Sequence, residues 1–302
     1  MGVKIPWLLY IMPKNITSLT IEHGLIKLLS CQGLQVIDYR VIPVNPQFFR
    51  EGQVSSSARV ASVIQNVLPE IKGNFRKVIA GIPGFEGRLR LLELPRAPGL
   101  DPQVLIPQEA RRSMRVSSET FHLTWQKRPD RLDRSRWLVL AASRRSVAGL
   151  LDTAQRARIK VQTLELRSFA LARVVNQADG VLVWLAPDGC DVVILRESVP
   201  VEQQSLFWGA GLVEATVLID RLTDIVGQTI TTYEQSATEG PLPEEVPLYV
   251  FGTPIGVEPG IGLQVAANLR RPAGELKIPL VHPADFPIHD LIVNIGLVLR
   301  EV

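Results

Sequence analysis

The sequence predicts an α/β fold built from two copies of one plan, with a small α/β module inserted in the first copy. Three observations carry this. The stretch TSLTIEHGLIKL at Thr17 to Leu28 is matched in the second half by VLVWLAPDGCDVVIL at Val181 to Leu195, and each reads as a strand, a tight turn of small or polar residues, and a strand returning beside the first. Each hairpin is followed by more strand, a long amphipathic helix and a short apolar strand, so the order β-β-β-α-β occurs twice. From about Gly84 to Glu165 the texture changes to short elements that carry the basic excess. The hairpin turns of such a duplication face each other across a cleft, where backbone N–H groups can cradle phosphate oxygens.

In order, Ile16 to Ser30 and Leu34 to Val44 alternate as strands joined at Gln32-Gly33. Ser55-Ser56-Ser57 supplies caps for a helix whose Val60, Val63, Ile64, Val67, Leu68 and Ile71 recur at helical spacing. Lys77 to Ile82 is a short buried strand, ended by Gly81-Ile82-Pro83-Gly84. The module then reads as strand Arg88 to Leu94, helix Pro102 to Met114, strands Thr120 to Gln126 and Trp137 to Ala142, helix Ser146 to Arg156 and strand Val161 to Glu165. Its Lys127 to Arg136 stretch, KRPDRLDRSR, is a solvated hairpin tip. Arg167 to Val175 is a helix returning to the first domain. The second copy has strands Val181 to Ala186, Cys190 to Arg196 and Val199 to Leu206, then Gly209-Ala210-Gly211 opening a helix from Leu212 to Tyr233. Ser236 to Pro247 is a surface loop rich in Pro and Glu. Leu248 to Phe251 is a buried strand running into a turn with Gly252, Pro254, Gly256, Pro259 and Gly260. Helices at Ile261 to Leu269 and Asp290 to Glu301 close the chain.

Composition narrows the class. With 302 residues, 46% hydrophobic and 21% charged, the chain is a globular protein able to bury two cores. The longest apolar runs, Gly180 to Ala186 and Ile292 to Leu299, fall far short of the roughly 20 residues a membrane-spanning helix needs. The N-terminal MGVKIPWLLYIMPK is broken by Pro6 and Pro13, has no small-residue cleavage site, and reads as mature protein. Cys31 and Cys190 lie far apart with no CxxC, which fits a reducing compartment and two buried thiols. Between Pro107 and Lys160 thirteen Lys or Arg stand against five Asp or Glu, a local +8 in a chain whose formal charge is +3. Such a face meets acidic lipids at about 1 kcal/mol per basic residue, or is ordinary solvated surface. Phe121, Trp125 and Trp137 are too sparse to favour stacking on nucleic acid. His23, His122, His282 and His289 form no ligand cluster, and GxxxxGK[ST], HExxH, GxSxG and GxGxxG are absent.

Six pieces, in this order and spacing, carry a resemblance: LTIEHGLIK at Leu19 to Lys27, VIAGIPG at Val78 to Gly84, QEARRSMRVSSETFHLTWQ at Gln108 to Gln126, LELRSFALARVV at Leu164 to Val175, CDVVILRESVP at Cys190 to Pro200, and ADFPIHDLIVNIGLVLREV at Ala284 to Val302. Over almost its whole length the chain resembles the PilM family, actin-like cytoplasmic proteins of type IV pilus assembly that are themselves similar to the cell-division protein FtsA. The resemblance implies a duplicated actin-like (ribonuclease H-like) fold. Its first domain would comprise residues 1–83, 166–179 and 288–302, the inserted module 84–165 and the second domain 180–287. It also implies a scaffold of the pilus assembly platform, peripheral on the inner face of the cytoplasmic membrane. Such a scaffold holds the N-terminal peptide of the membrane protein PilN between the first domain, including the Ser57 to Ile71 helix, and the module's helix around Glu109 to Met114.

For the cofactor, the resemblance implies ATP with Mg²⁺, and the residues argue against it. Aligned on Leu19 and Lys27, the family's metal-holding Asp falls at Thr20 and its phosphate-loop Gly at Glu22. A carboxylate about 4 Å from a phosphate charge costs roughly 1 kcal/mol in bulk water and about 4 at an effective dielectric near 20. In the second loop the Asp position is Trp184, followed by Ala186-Pro187, and Asp188 sits at the turn tip as a turn residue. The groups left to meet a nucleotide are Thr20, His23, Gly24 and Lys27, then Gly209 and Gly211, and Gly252 with Thr253 on the adenosine side. The expected function is therefore a peptide-binding scaffold without ATP hydrolysis. The alternative is an ATPase or phosphotransferase on the same fold, which the missing carboxylates disfavour. A type II secretion protein of the GspL kind would need a membrane helix downstream, and these 302 residues contain none.

Overall fold

The computed structural model describes residues 14–22, 24–50, 53–95, 101–131, 133–209, 214–236, 240–258 and 260–301. Its strands are β1 (Asn15–Glu22), β2 (Leu25–Gln32), β3 (Gln35–Pro43), β4 (Phe49–Arg50), β5 (Gln53–Val54), β6 (Val78–Ile82), β7 (Gly87–Pro95), β8 (Phe121–Arg131), β9 (Arg134–Ser143), β10 (Val161–Leu166), β11 (Gly180–Ala186), β12 (Gly189–Arg196), β13 (Val199–Phe207) and β14 (Leu248–Phe251). Its helices are α1 (Ser57–Val67), α2 (Pro102–Ser113), α3 (Arg144–Arg156), α4 (Arg167–Val175), α5 (Ala215–Ser236), α6 (Thr253–Val257), α7 (Gly260–Asn268) and α8 (Ile288–Val298).

The duplication is visible in the pairing. In the first sheet β1, β2 and β3 are antiparallel neighbours and β6 lies parallel to β1. In the second, β11, β12 and β13 repeat that pattern and β14 lies parallel to β11. Both parallel strands are reached through a helix, α1 or α5, as a crossover requires. Alternation along β1 and β11 then divides their side chains between two faces. Leu19 and Ile21 face α1 and α3, while Val181, Val183 and Leu185 face α5 and α7. Leu182, Trp184 and Ala186 face the other way, into a core shared by α4, α8 and both sheets. The helix pair α4 and α8 is thus a filling between two lobes.

The boundaries of the inserted module differ from the sequence expectation. A strand at Val161 to Glu165 was expected in the module, but β10 pairs parallel with β6 and is the outer strand of the first sheet. Leu150 and Ala154 of α3 pack with Val60 and Ile64 of α1, so this helix also covers the first lobe. What stands out as a separate unit is β7, β8, β9 and α2, and its sheet is not free-standing. Through a pairing of Glu202 with Arg90, β7 joins β13, giving one seven-stranded sheet in the order β14-β11-β12-β13-β7-β9-β8. Arg90 holds Glu202 with two hydrogen bonds at that seam, Nε to Oε2 at 2.8 Å and Nη2 to Oε1 at 2.7 Å. Burial pushes the Glu202 carboxyl above its usual range although Arg90 opposes the shift. The hairpin tip is also tighter than expected, since β8 and β9 run on to Arg131 and Arg134. The turn expected after β14 contains the short helix α6.

Local chemistry explains the joints that matter. Asp101 caps α2 by accepting from the Gln103 N–H at 2.9 Å, with Pro102 in the first turn, where it lacks no needed donor. Gly24 closes the β1–β2 turn at φ +71°, a conformation that suits glycine. Asn176 ends α4 in the left-handed region, another of its ordinary roles.

Candidate functional site

Two crevices result, one between the lobes and one between the module and the first lobe. In the first, β1 and β12 bring Glu22 and Asp191 to the two sides of Arg167, the first residue of α4. Arg167 donates from Nη2 to Glu22 Oε2 and from Nη1 to Asp191 Oδ2 at 2.5 Å. Its guanidinium lies over the Trp184 ring with Cζ 3.4 Å from the centroid, a cation–π stack. Ser205 Oγ donates to the other Asp191 oxygen at 2.6 Å. Glu22, Arg167, Trp184 and Asp191 are 2%, 1%, 3% and 1% exposed. Gly84 makes the approach possible, because a Cβ there would lie 1.7 Å from Asp191 Oδ2.

The residues named from the sequence are placed as follows. Thr20 faces inward under α8 and donates to Asn294 Oδ1 at 3.1 Å, while Asn294 Nδ2 donates to Ser18 Oγ and to the Lys27 carbonyl. Lys27 is buried, and burial lowers its ammonium pKa below the usual lysine value, with Glu22 and Asp290 opposing and Arg167 reinforcing. Gly252, at φ +124°, passes so near β11 that a Cβ would meet the Leu185 carbonyl at 2.0 Å. Thr253 Oγ1 donates to Asp290 Oδ1 at 2.6 Å and ties the end of β14 to the start of α8. Gly209 follows β13 at φ +85°, facing open space. Gly24 stands at the β1–β2 turn, whereas His23 and Gly211 lie outside the described residues, as does the N-terminal apolar stretch. The structure therefore gathers Glu22 and Lys27 with Arg167, gives Thr20 and Thr253 partners on α8, and leaves Gly209 apart.

Arg167 and Asp191 were not singled out from the sequence. The signal was there: Arg167 opens a helix, LRSFALARVV, whose other charge, Arg173, lies near its far end, and one aspartate interrupts the apolar strand CDVVIL. Isolated opposite charges inside buried runs must find each other, because an unpaired buried charge is costly.

The second crevice is a groove of ≈ 520 Å³. Leu138, Leu140 and Ala142 of β9 form its floor, and their cross-strand partners on β8, Gln126, Thr124 and His122, form one rim. Leu164 and Leu166 of β10 and Phe169 of α4 make the far wall. Beyond them Glu165 is held by Arg173 Nη2 at 2.9 Å and by Arg300 Nη1, a carboxylate shared by two guanidinium groups. A groove between module and first lobe was expected, but its walls were expected on α1 and on Glu109 to Met114. Instead α1 lies on the outer face of the first sheet, and α2 packs Ile106 and Ala110 against the opposite face of the module sheet.

Among the described residues no three His, Cys, Asp or Glu groups are placed to hold a metal ion, and no helix is long and apolar enough to cross a membrane. Burial pushes the Cys31 thiol up to about 12 and the Cys190 thiol higher still.

No protein-family model and no curated protein matches the chain. Solved structures do. The PilM–PilN type IV pilus biogenesis complex superposes with a TM-score of 0.75 at 20% identity, over 96% of this chain and 99% of that one. The cytoplasmic domain of EpsL, an inner-membrane component of the type II secretion system of Vibrio cholerae, gives 0.52 at 13% identity, over 95% and 94%. A protein with an actin-like ATPase fold and unknown function from Bacteroides thetaiotaomicron gives 0.50 at 9%, over 95% and 96%. The chain has the actin-like fold, in a PilM-like arrangement.

Proposed function

We propose that this chain is a PilM-type scaffold that holds the N-terminal peptide of a PilN-like membrane protein at the inner face of the cytoplasmic membrane. It serves a pilus or related envelope-assembly platform and does not turn over ATP. The observation that carries this reading is the ≈ 520 Å³ groove between module and first lobe, with an apolar floor and polar rims. Such a trough suits an extended peptide: alternate side chains point down into apolar space, while the rims offer orienting hydrogen bonds. Because β8 is the last strand of its sheet, its outer edge can also take an added strand.

The absence of turnover rests on the cleft. With Thr20 bonded to Asn294 and Trp184 stacked on Arg167, neither former carboxylate position can serve Mg²⁺. The module's basic residues remain available to an anionic leaflet, although several face acids: Lys127 pairs with Asp130 and Arg156 with Asp152.

The test is a titration of the purified chain with a synthetic N-terminal peptide of a PilN-like protein from the same organism. Leu140→Arg and Ala142→Trp should each weaken binding by about 30-fold, ~2 kcal/mol, with circular dichroism unchanged. Full affinity in both variants would refute the groove. Phosphate release from Mg-ATP above the buffer rate would refute the silent cleft.

A further inference from the structure

Two lobes that close over a Mg–nucleotide are usually joined by it, since metal and phosphates bind groups on both sides at once. Here the same crevice holds a salt made entirely of the protein's own side chains. Glu22 comes from the first lobe, Asp191 from the second, and Arg167 bonds to both. The arrangement is built: Trp184 orients the guanidinium, Ser205 fixes Asp191, and Gly84 leaves room for the carboxylate. Carboxylates from both hairpins hold a central cation, as they would hold Mg²⁺, but the cation is a side chain of the protein and the carboxylates around it repel a phosphate.

We propose that the Glu22–Arg167–Asp191 network is an internal replacement for a Mg–nucleotide complex, tying the two lobes together across the cleft and excluding nucleotide from it. Closure is thereby independent of any ligand. Two features support a tie rather than mere filling. The bonds are made to opposite lobes, and the network borders the apolar core in which α4 and α8 contact both sheets. This inference goes beyond peptide recognition and does not rest on it.

The experiment is amide hydrogen exchange on the full chain, with melting curves in the presence of millimolar Mg-ATP or Mg-ADP. The wild-type melting temperature should not move with either nucleotide. Arg167→Met should raise exchange at β1 and β12 by about tenfold or more while the module strands β8 and β9 keep their rates. Should that variant not fold, Arg167→Lys decides, because it keeps the charge but loses the two-pronged geometry. It should show the same opening, confined to the two hairpins. Wild-type exchange in Arg167→Lys at both hairpins, or a nucleotide-dependent rise in wild-type melting temperature, would overturn the proposal.

Discussion

The interlobe cleft and the module groove are both crevices between the same two sheets, and they are opposite in kind. The cleft is buried and charged, with Arg167 bonded to a carboxylate from each lobe. The groove is open and floored by aliphatic side chains, with ions only at its margin. Buried charge that is already matched gives an incoming ligand nothing to bind and costs desolvation to disturb. Apolar surface left open is stabilised when something covers it, at about 25 cal/mol per Å². The proposed function, silence at the first crevice and peptide reception at the second, rests on this contrast.

The largest test of this contrast is Asp191→Ala. It strips Arg167 Nη1 and Ser205 Oγ of their buried acceptor and should cost about 3–5 kcal/mol in urea unfolding, while Thr124→Ala on the groove rim should stay within about 0.5 kcal/mol. Equal costs would erase the distinction. Next in size, Gly84→Ala drives a Cβ into Asp191 and should destabilise by about 2–3 kcal/mol. Its control is Gly149 in α3, where a Cβ would sit 3.5 Å from the Val54 carbonyl. There alanine should be neutral or add up to about 1 kcal/mol of stability by helix propensity. A smaller effect belongs to the groove: Arg300→Ala should reduce peptide affinity by about fivefold, ~1 kcal/mol, without changing the melting temperature appreciably.

The smallest effect is a pH dependence at the cleft side. Burial lowers the pKa of His289 below 6.5, with Asp290 opposing. Between its folded value and 6.5 the unfolded chain binds more protons, so stability should fall as pH drops through that window, by at most about 1.4 kcal/mol per unit of depression. Denaturant midpoints at pH 7 and pH 5 should differ less in His289→Gln than in the wild type. An unchanged difference would show that another group carries the slope.

Much of the fold could be read from sequence because it depends on local pattern. The two hairpins, the crossover helices and the apolar α8 announce themselves by alternation and helical spacing, and the pairings of β1 with β2 and β11 with β12 agree. What was not legible depends on contacts between distant segments. Nothing in VQTLEL says that it pairs beside Val78–Ile82 rather than within the module that precedes it. The groove walls were displaced for the same reason: an amphipathic helix reveals that it has a buried face, not which surface buries it. Glu22 is instructive in a different way. Its departure from the phosphate-loop pattern was visible, but its bond to Arg167, 145 residues away, was not.

The Arg90–Glu202 seam makes the groove's floor move with the second lobe, because β9 and β13 belong to one sheet. The groove's far wall, β10 and α4, belongs to the first lobe. Any rotation of one lobe against the other must therefore change the width of the trough as well as the separation across Arg167. A segment lodged in that trough spans the joint like a splint, and rigidity at Arg167 becomes the gauge that sets how wide the trough stands before anything enters it.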